Sequence, residues 1–537
     1  MKNRKFNILL IIAGVLLGLS SCNDFLTEEP KSNLTPEQVF TDLKVLEPTV
    51  DGLYSSYRGA KAGRGGWALF LTGLDEAKQG IIQMGDQNLQ SALDNYDGTL
   101  SGETSQIAEM WGKRWPIINS AARCIRGLEL MIETETDEGA LAHLTLLKAN
   151  ACFVRALCMF EMAMLWGEVP VIDIQDLNNA EVDMSKQSLP VVWQQIFDDF
   201  TFAAQNLDKG KQTGSRATQG AAIAMLGKLY LYAPEESTFR DYTKAIGYFE
   251  QIINNYSLTP SYATIFDELT PPEFNLPESI FEIDFRCNDS GRSGWQWDMG
   301  SRTMASLSFG EGCYLGGYDV VLPTEYAYKM RSEGGVWEEG DLRRTVNVRY
   351  EYTYQRVTYT EVSWGADELD PHIKKWEDRR VDGFTPADLA AEAINGRSFY
   401  RSGKNYLMLR YADIMLCYAE CLNEVGRTSE AINLVNKVRE RAWGGTLPAD
   451  KAWNGVSQAQ FRIDILDERM RELCFEGWRR MDLIRTQQFK KLISERNPWA
   501  KEKGTIQDYH MRYPIPNVEI RNNVYMTNED QNPGYVQ

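Results

Sequence analysis

Residues 406–442 read "YLMLRYADIMLCYAECLNEVGRTSEAINLVNKVRERA", and the spacing inside them decides the fold class. Tyr411, Met415, Tyr418, Leu422 and Val425 recur every three to four positions, which places them on one face of a helix. Gly426 stands where that stripe ends, at the position where a helix terminus favours a residue tolerant of left-handed backbone. Ala431 to Val438 then restart the pattern. The stretch predicts two antiparallel helices joined by a tight turn.

A second such pair precedes it. Residues 221–260 carry Leu226-Gly227-x-x-Tyr230, then Ala245-x-x-x-Phe249, then Pro260, a spacing similar to that of tetratricopeptide repeats. Glycine and alanine allow close helix approach, and the aromatic rings fill the groove between. Two longer helical patterns, at about 105–134 and 139–166, come earlier, with Gly167 and Pro170 ending the second. A helix is also predicted from Thr35 as N-cap and Pro36 at the first helical position to about Tyr57, broken by Gly59 to Gly66. Helix pairs of this kind cannot bury their apolar faces alone and must stack. The expected fold is mostly α, tetratricopeptide-like pairs forming a right-handed helical scaffold. Between about 257 and 403 the texture changes: "SIFEIDF" (279–285) and "TVNVRYEYTYQRVTY" (345–359) alternate as strands do, among connections rich in Gly, Pro, Asp and Trp. A long excursion of that kind from a helical frame is a place to look for function.

The N-terminus carries Lys2, Arg4 and Lys5, then an apolar and small-residue run of 12 residues from Ile8 to Leu19. A bilayer-crossing helix needs about 20 apolar residues, so this is the shape of a secretory signal. Leu19-Ser20-Ser21-Cys22 resembles a bacterial lipobox. On that reading residues 1–21 are removed, Cys22 carries the lipid, 22–34 form an acidic tether, and the chain is anchored to a membrane without spanning it. The formal net charge of −18, from 57 Lys plus Arg against 75 Asp plus Glu, argues against nucleic acid as a partner. Of nine cysteines, most lie in apolar helical patterns and are expected as buried thiols. Cys287 and Cys313, in the loop-rich middle, are the pair to consider for a disulfide.

Catalytic signatures are scarce. The three histidines, His143, His372 and His510, are far apart, and no H-E-x-x-H, G-x-S-x-G or phosphate loop occurs. "GRGGW" at 63–67 lacks the Lys-Ser/Thr of a phosphate loop and reads as a flexible presenter of Trp67. Glu468, Glu472 and Glu476 suggest paired acids on one helix face, yet Arg469, Arg471, Arg479 and Arg480 sit among them, and such a ladder is structural. No catalytic residue, metal ligand or cofactor is assigned.

The aromatic residues of the loops are the remaining clue. Pyranose faces stack on indole and phenol rings, while sugar hydroxyls need amide, carboxylate or guanidinium partners. Trp67 with Asp75, Gln79, Gln83 and Asn88 offers that mixture; so do Trp295 and Trp297 between Arg292 and Asp298, extended by Tyr314 and Tyr318. The candidate ligand contacts are Trp67, Asp75, Arg292, Trp295, Trp297 and Tyr314. Each ring could equally fill the core of the looped subdomain, and residue type leaves both readings open.

Several segments together resemble the SusD/RagB family of Bacteroidetes surface lipoproteins. They are "LKANACFVRALCMFEMAMLWGEVPVI" (147–172), "LRYADIMLCYAECLNEVG" (409–426), "AINLVNKVRERA" (431–442), "ILDERMRELCFEGWRRMDLIRT" (465–486), "PIPNVEIRNN" (514–523) and "QNPGY" (531–535), with "CNDFLTEEP" after the lipobox. The resemblance implies an N-terminal helical part over 35–256, a loop-rich ligand-binding subdomain over 257–403 and a C-terminal helical part over 404–537. It also implies a SusC-like TonB-dependent transporter as partner and an oligosaccharide, or in a variant of the family a peptide, as ligand. A surface glycoside hydrolase is the rival from another class. The resemblance supplies no residue-level match for the ligand contacts.

Overall fold

The computed structural model describes residues 35–80, 91–179, 181–212, 216–266, 276–285, 293–301, 317–354, 357–360, 371–378 and 402–535. Its centre is the helix Glu138–Trp166, buried along nearly its whole C-terminal two thirds. Among the described residues this is the one helix long and apolar enough to cross a membrane, yet 94% of its apolar window is covered by protein, which makes it a core helix. Asp137 caps it by accepting from the Ala140 amide at 2.8 Å. The three-residue link to Ser105–Thr134 makes those two helices antiparallel neighbours. Leu43–Lys61 and Leu189–Asn206 pack on its other sides.

From there the helices stack in order: Leu189–Asn206, Gln219–Tyr232, Tyr242–Ile252, and then, after the long excursion, Tyr411–Glu424 and Thr428–Ala442. The tetratricopeptide-like spacing works as the sequence predicts. A Cβ on Gly227 would lie 2.4 Å from the Phe249 ring, so only glycine lets the two helices close. Gly426 has φ +83 and ends its helix, with the Arg427 amide turning back to the Leu422 carbonyl at 2.8 Å. The excursion rejoins the frame where the strand Ser279–Ile283 pairs antiparallel with Tyr406–Arg410.

Three expectations change. The first helical segment is two helices, Pro36–Thr41 and Leu43–Lys61, because Asp42 breaks the first and caps the second by accepting from the Lys44 amide. Gly59 does not end the second, and Gly65 and Gly66 lie inside a further helix, Arg64–Leu71. A Cβ on Gly66 would fall 2.5 Å from Lys61 Cα, so this glycine provides a close backbone pass and no flexibility. In the predicted strand run from Thr345, strands begin at Val348, since Arg343–Asn347 form a helical turn. Cys124, Cys152, Cys158, Cys417, Cys421 and Cys474 are buried free thiols, as expected; Cys22, Cys287 and Cys313 lie outside the described residues.

The helix Gln458–Leu473 carries the ladder read in the sequence, though Glu476 lies past its end, in a turn where Phe475 has φ +63. Glu468 binds Arg343, Arg439 and Arg471, while Glu472 binds Arg343, Arg410 and Arg441. Glu476 binds Arg410 and Lys375. Burial alone would raise the Glu472 carboxyl, but Arg441, Arg410 and Arg343 overcome it and hold the group well below the usual carboxylate range. A carboxyl depressed in this way adds stability above its unfolded pKa of about 4.3 and loses it as pH falls towards the folded value. Glu472→Ala is therefore expected to cost about 3–5 kcal/mol at pH 7, because three guanidiniums lose a buried partner. Denaturant melts of wild type and variant, repeated below pH 4, should show the gap narrowing; an equal gap at both pH values contradicts the assignment.

Candidate functional site

The loop-rich part meets the helical frame beside the helix Arg64–Leu71. The Trp295 indole donates to the Lys61 carbonyl at 2.7 Å, and the Gly294 amide donates to Ala62 at 2.8 Å, which docks the short helix Trp295–Met299 there. Trp295 is 3% exposed, edge-on to Trp376 at 4.6 Å and tilted against Tyr406 at 5.0 Å. It is a core residue of the looped part, and in this structure neither face is open to a ligand. Trp67 is 1% exposed and donates to Asp298 Oδ2 at 3.2 Å. That corrects its reading as a flexibly presented platform: the glycines before it are packed, and the ring goes inward with them.

Asp75 is also structural. Arg479 grips its carboxylate at 2.8 and 2.5 Å and Arg496 adds a contact at 3.2 Å. Burial would raise this carboxyl, but Arg479 and then Arg496 more than offset it and keep it below its ordinary value. Arg292 and Tyr314, with Gln83 and Asn88, lie outside the described residues.

Trp297 is the predicted ring that the described residues leave partly open. It stacks almost parallel to Tyr318, with centroids 5.9 Å apart and planes at 14°, and both are half-buried. Backbone bonds hold the pair: the Tyr318 amide donates to Trp297 O and the Val320 amide to Asp298 O, each at 2.8 Å. Gly317 allows this close pass, since a Cβ there would lie 2.5 Å from Gly300 Cα. The neighbouring Asp298 is buried, and its Oδ1 accepts from Arg64 Nε at 3.0 Å. Burial pushes the Asp298 carboxyl up to about 6, against the pull of Arg64 and the Trp67 hydrogen bond. Arg64 was missed in the sequence; its place in "GRGGW", one turn before Trp67, was the available signal.

The described residues thus place a half-buried aromatic pair beside a buried carboxylate that holds Arg64. The chain belongs to the SusD/RagB family. The SusD family model matches residues 277–535, and a second model, described as starch-binding associating with outer membrane, matches 24–231. Among similar proteins, a SusD-like protein P2 of Formosa agariphila is 28% identical over 99% of this chain and 100% of its own. The starch-binding protein SusD of Bacteroides thetaiotaomicron is 24% identical over 72% of each chain. A SusD homolog of Bacteroides thetaiotaomicron shares the fold with a TM-score of 0.72 at 20% identity, covering 93% of this chain and 98% of that one. A laminarin-binding SusD-like protein does so with a TM-score of 0.69 at 21% identity, over 92% and 100%.

Proposed function

We propose that this protein captures an oligosaccharide at the cell surface and hands it, unmodified, to a SusC-like TonB-dependent transporter of the outer membrane. The observation that carries the reading is the stacked, half-buried Trp297–Tyr318 pair, next in sequence to Asp298 and its partner Arg64. Flat apolar rings take the C–H face of a pyranose, and the partly exposed Arg64, held by the buried Asp298, can donate to its hydroxyls. The names of similar proteins, starch-binding and laminarin-binding, support a glycan as the ligand class. Anchorage is proposed through lipid on Cys22, which keeps the binding face at the membrane surface with the transporter.

Two variants test the site. Trp297→Ala should weaken binding of the best of a malto- and laminari-oligosaccharide panel by about tenfold, the loss of roughly one aromatic stack. Its melting temperature should stay near wild type. Trp67→Ala, by contrast, should destabilise by about 3–5 kcal/mol as a large core truncation. Calorimetry and thermal melts read both; unchanged affinity in Trp297→Ala overturns the assignment, as does release of shorter sugars by pure wild-type protein. Cys22→Ala should lose incorporated fatty acid and leave the outer-membrane fraction, whereas continued lipid labelling would place the anchor elsewhere.

A further inference from the structure

Two cavities of about 510 and 250 Å3 lie side by side against the C-terminal helices and share Glu235, Arg240, Arg485 and Gln487 as a common wall. The guanidiniums of the larger one are largely matched. Arg462 grips Glu424 at 2.7 and 2.8 Å, Arg485 grips Glu420 at the same distances, and Arg496 lies 3.0 Å from Asp467. Arg512, which lines the smaller cavity, is different. Its Nη1 donates to the Ala163 carbonyl at 2.7 Å, and among the described residues no carboxylate lies within 4.0 Å of it.

Arg480, whose charge acts on Arg512, is fully buried and among the described residues also has no carboxylate within 4.0 Å. Its Nη2 donates to His510 O at 2.8 Å, its Nε and Nη1 have no hydrogen-bond partner, and its guanidinium lies 3.9 Å from the centre of the Tyr513 ring. Burial lowers the Arg512 pKa from the ordinary guanidinium value; Glu236 opposes this, Arg480 adds a smaller lowering, and Glu168 opposes more weakly. The buried ion clusters described above pair guanidinium with carboxylate, whereas among the described residues neither Arg512 nor Arg480 has a carboxylate within 4.0 Å, which leaves Arg512 able to take an external anion. The rest of the wall suits a sugar. Tyr509 is 37% exposed, with its ring packed edge-on by Tyr535 at 5.1 Å, tilted against His510 at 4.1 Å and lying against Gly534, and Gln487, Asp508, Glu235 and Glu236 line the rest of the wall.

We propose that this smaller cavity is a second sugar subsite, selective for a uronate: Arg512 binds the carboxylate, Tyr509 takes the C–H face, and Gln487 with Asp508 accepts from hydroxyls. Arg suits the role because its planar fork matches a carboxylate in two-point contact. The adjoining cleft leaves room for the sugar chain to continue. The site is separate from the Trp297 platform and does not rest on it.

The test is calorimetric titration of the mature protein with trigalacturonate and, in parallel, with the neutral laminaritriose. Wild type should bind trigalacturonate saturably, more weakly at high salt, and Arg512→Gln should weaken it at least tenfold without altering any laminaritriose binding. Trp297→Ala should leave trigalacturonate binding intact. If thermal melts show Arg512→Gln to be unfolded, Tyr509→Ala replaces it, with the same loss expected. Absence of saturable binding to wild type overturns the proposal, as does binding that survives the folded Arg512 or Tyr509 variant, or binding that is lost in Trp297→Ala alone.

Discussion

Electroneutrality of the buried charge cluster around the helix Gln458–Leu473 is the constraint on which the rest of the molecule depends. Arg343, Arg410, Arg439, Arg441, Arg471 and Lys375 face Asp341, Glu278, Glu338, Glu468, Glu472 and Glu476, six cations against six anions. Taking such charges out of water costs about as much as their attraction returns, so the cluster adds little net stability. Removing any one partner is expensive, however, and so is any packing that separates them. Residues from the frame (410, 439, 441) and from the excursion (278, 341, 343, 375) therefore have one arrangement in which all are satisfied.

That arrangement reaches the candidate site through the turn that follows the helix. Lys375 donates to the Cys474 carbonyl, Trp376 to Phe475 and Tyr406 to Glu476, at 2.7, 2.9 and 2.6 Å, so side chains of the looped part and of the rejoining strand catch three successive carbonyls. Trp376 and Tyr406 then pack against Trp295, two residues before Trp297. The partly open ring is thus held by a continuous chain of rigid contacts running back to the ion cluster. A ring pair held this way is pre-formed, so a ligand that used it as proposed would meet little ordering cost.

Much of this was legible in the sequence, for identifiable reasons. Helix pairing depends on local spacing, so Gly227 against Phe249 on the next helix and Gly426 at its helix end follow from patterns contained within one helix pair. The carboxylate–guanidinium ladder of 468–480 was readable as structural because the two charges alternate along one segment. Ring exposure was not readable. Trp67 is fixed by Asp298, 231 positions away, and Trp295 by Lys61, 234 positions away, so no local pattern tells a buried indole from an open one. Asp75 was misread for the same reason: its partners Arg479 and Arg496 lie more than 400 positions downstream. Trp297 differs from Trp295 only in pointing the other way from the same short helix.

The pre-formed Trp297–Tyr318 pair, braced by the buried ion cluster, is the proposed landing site of the glycan. Amide hydrogen exchange of the mature chain, with and without the oligosaccharide of highest affinity, tests it most directly. The account predicts ligand-dependent slowing at residues 295–300 and 317–320, with the Gln458–Leu473 helix already among the slowest segments and unchanged on binding. Slowing confined to other segments, or a Gln458–Leu473 helix that exchanges quickly until ligand is added, would contradict it.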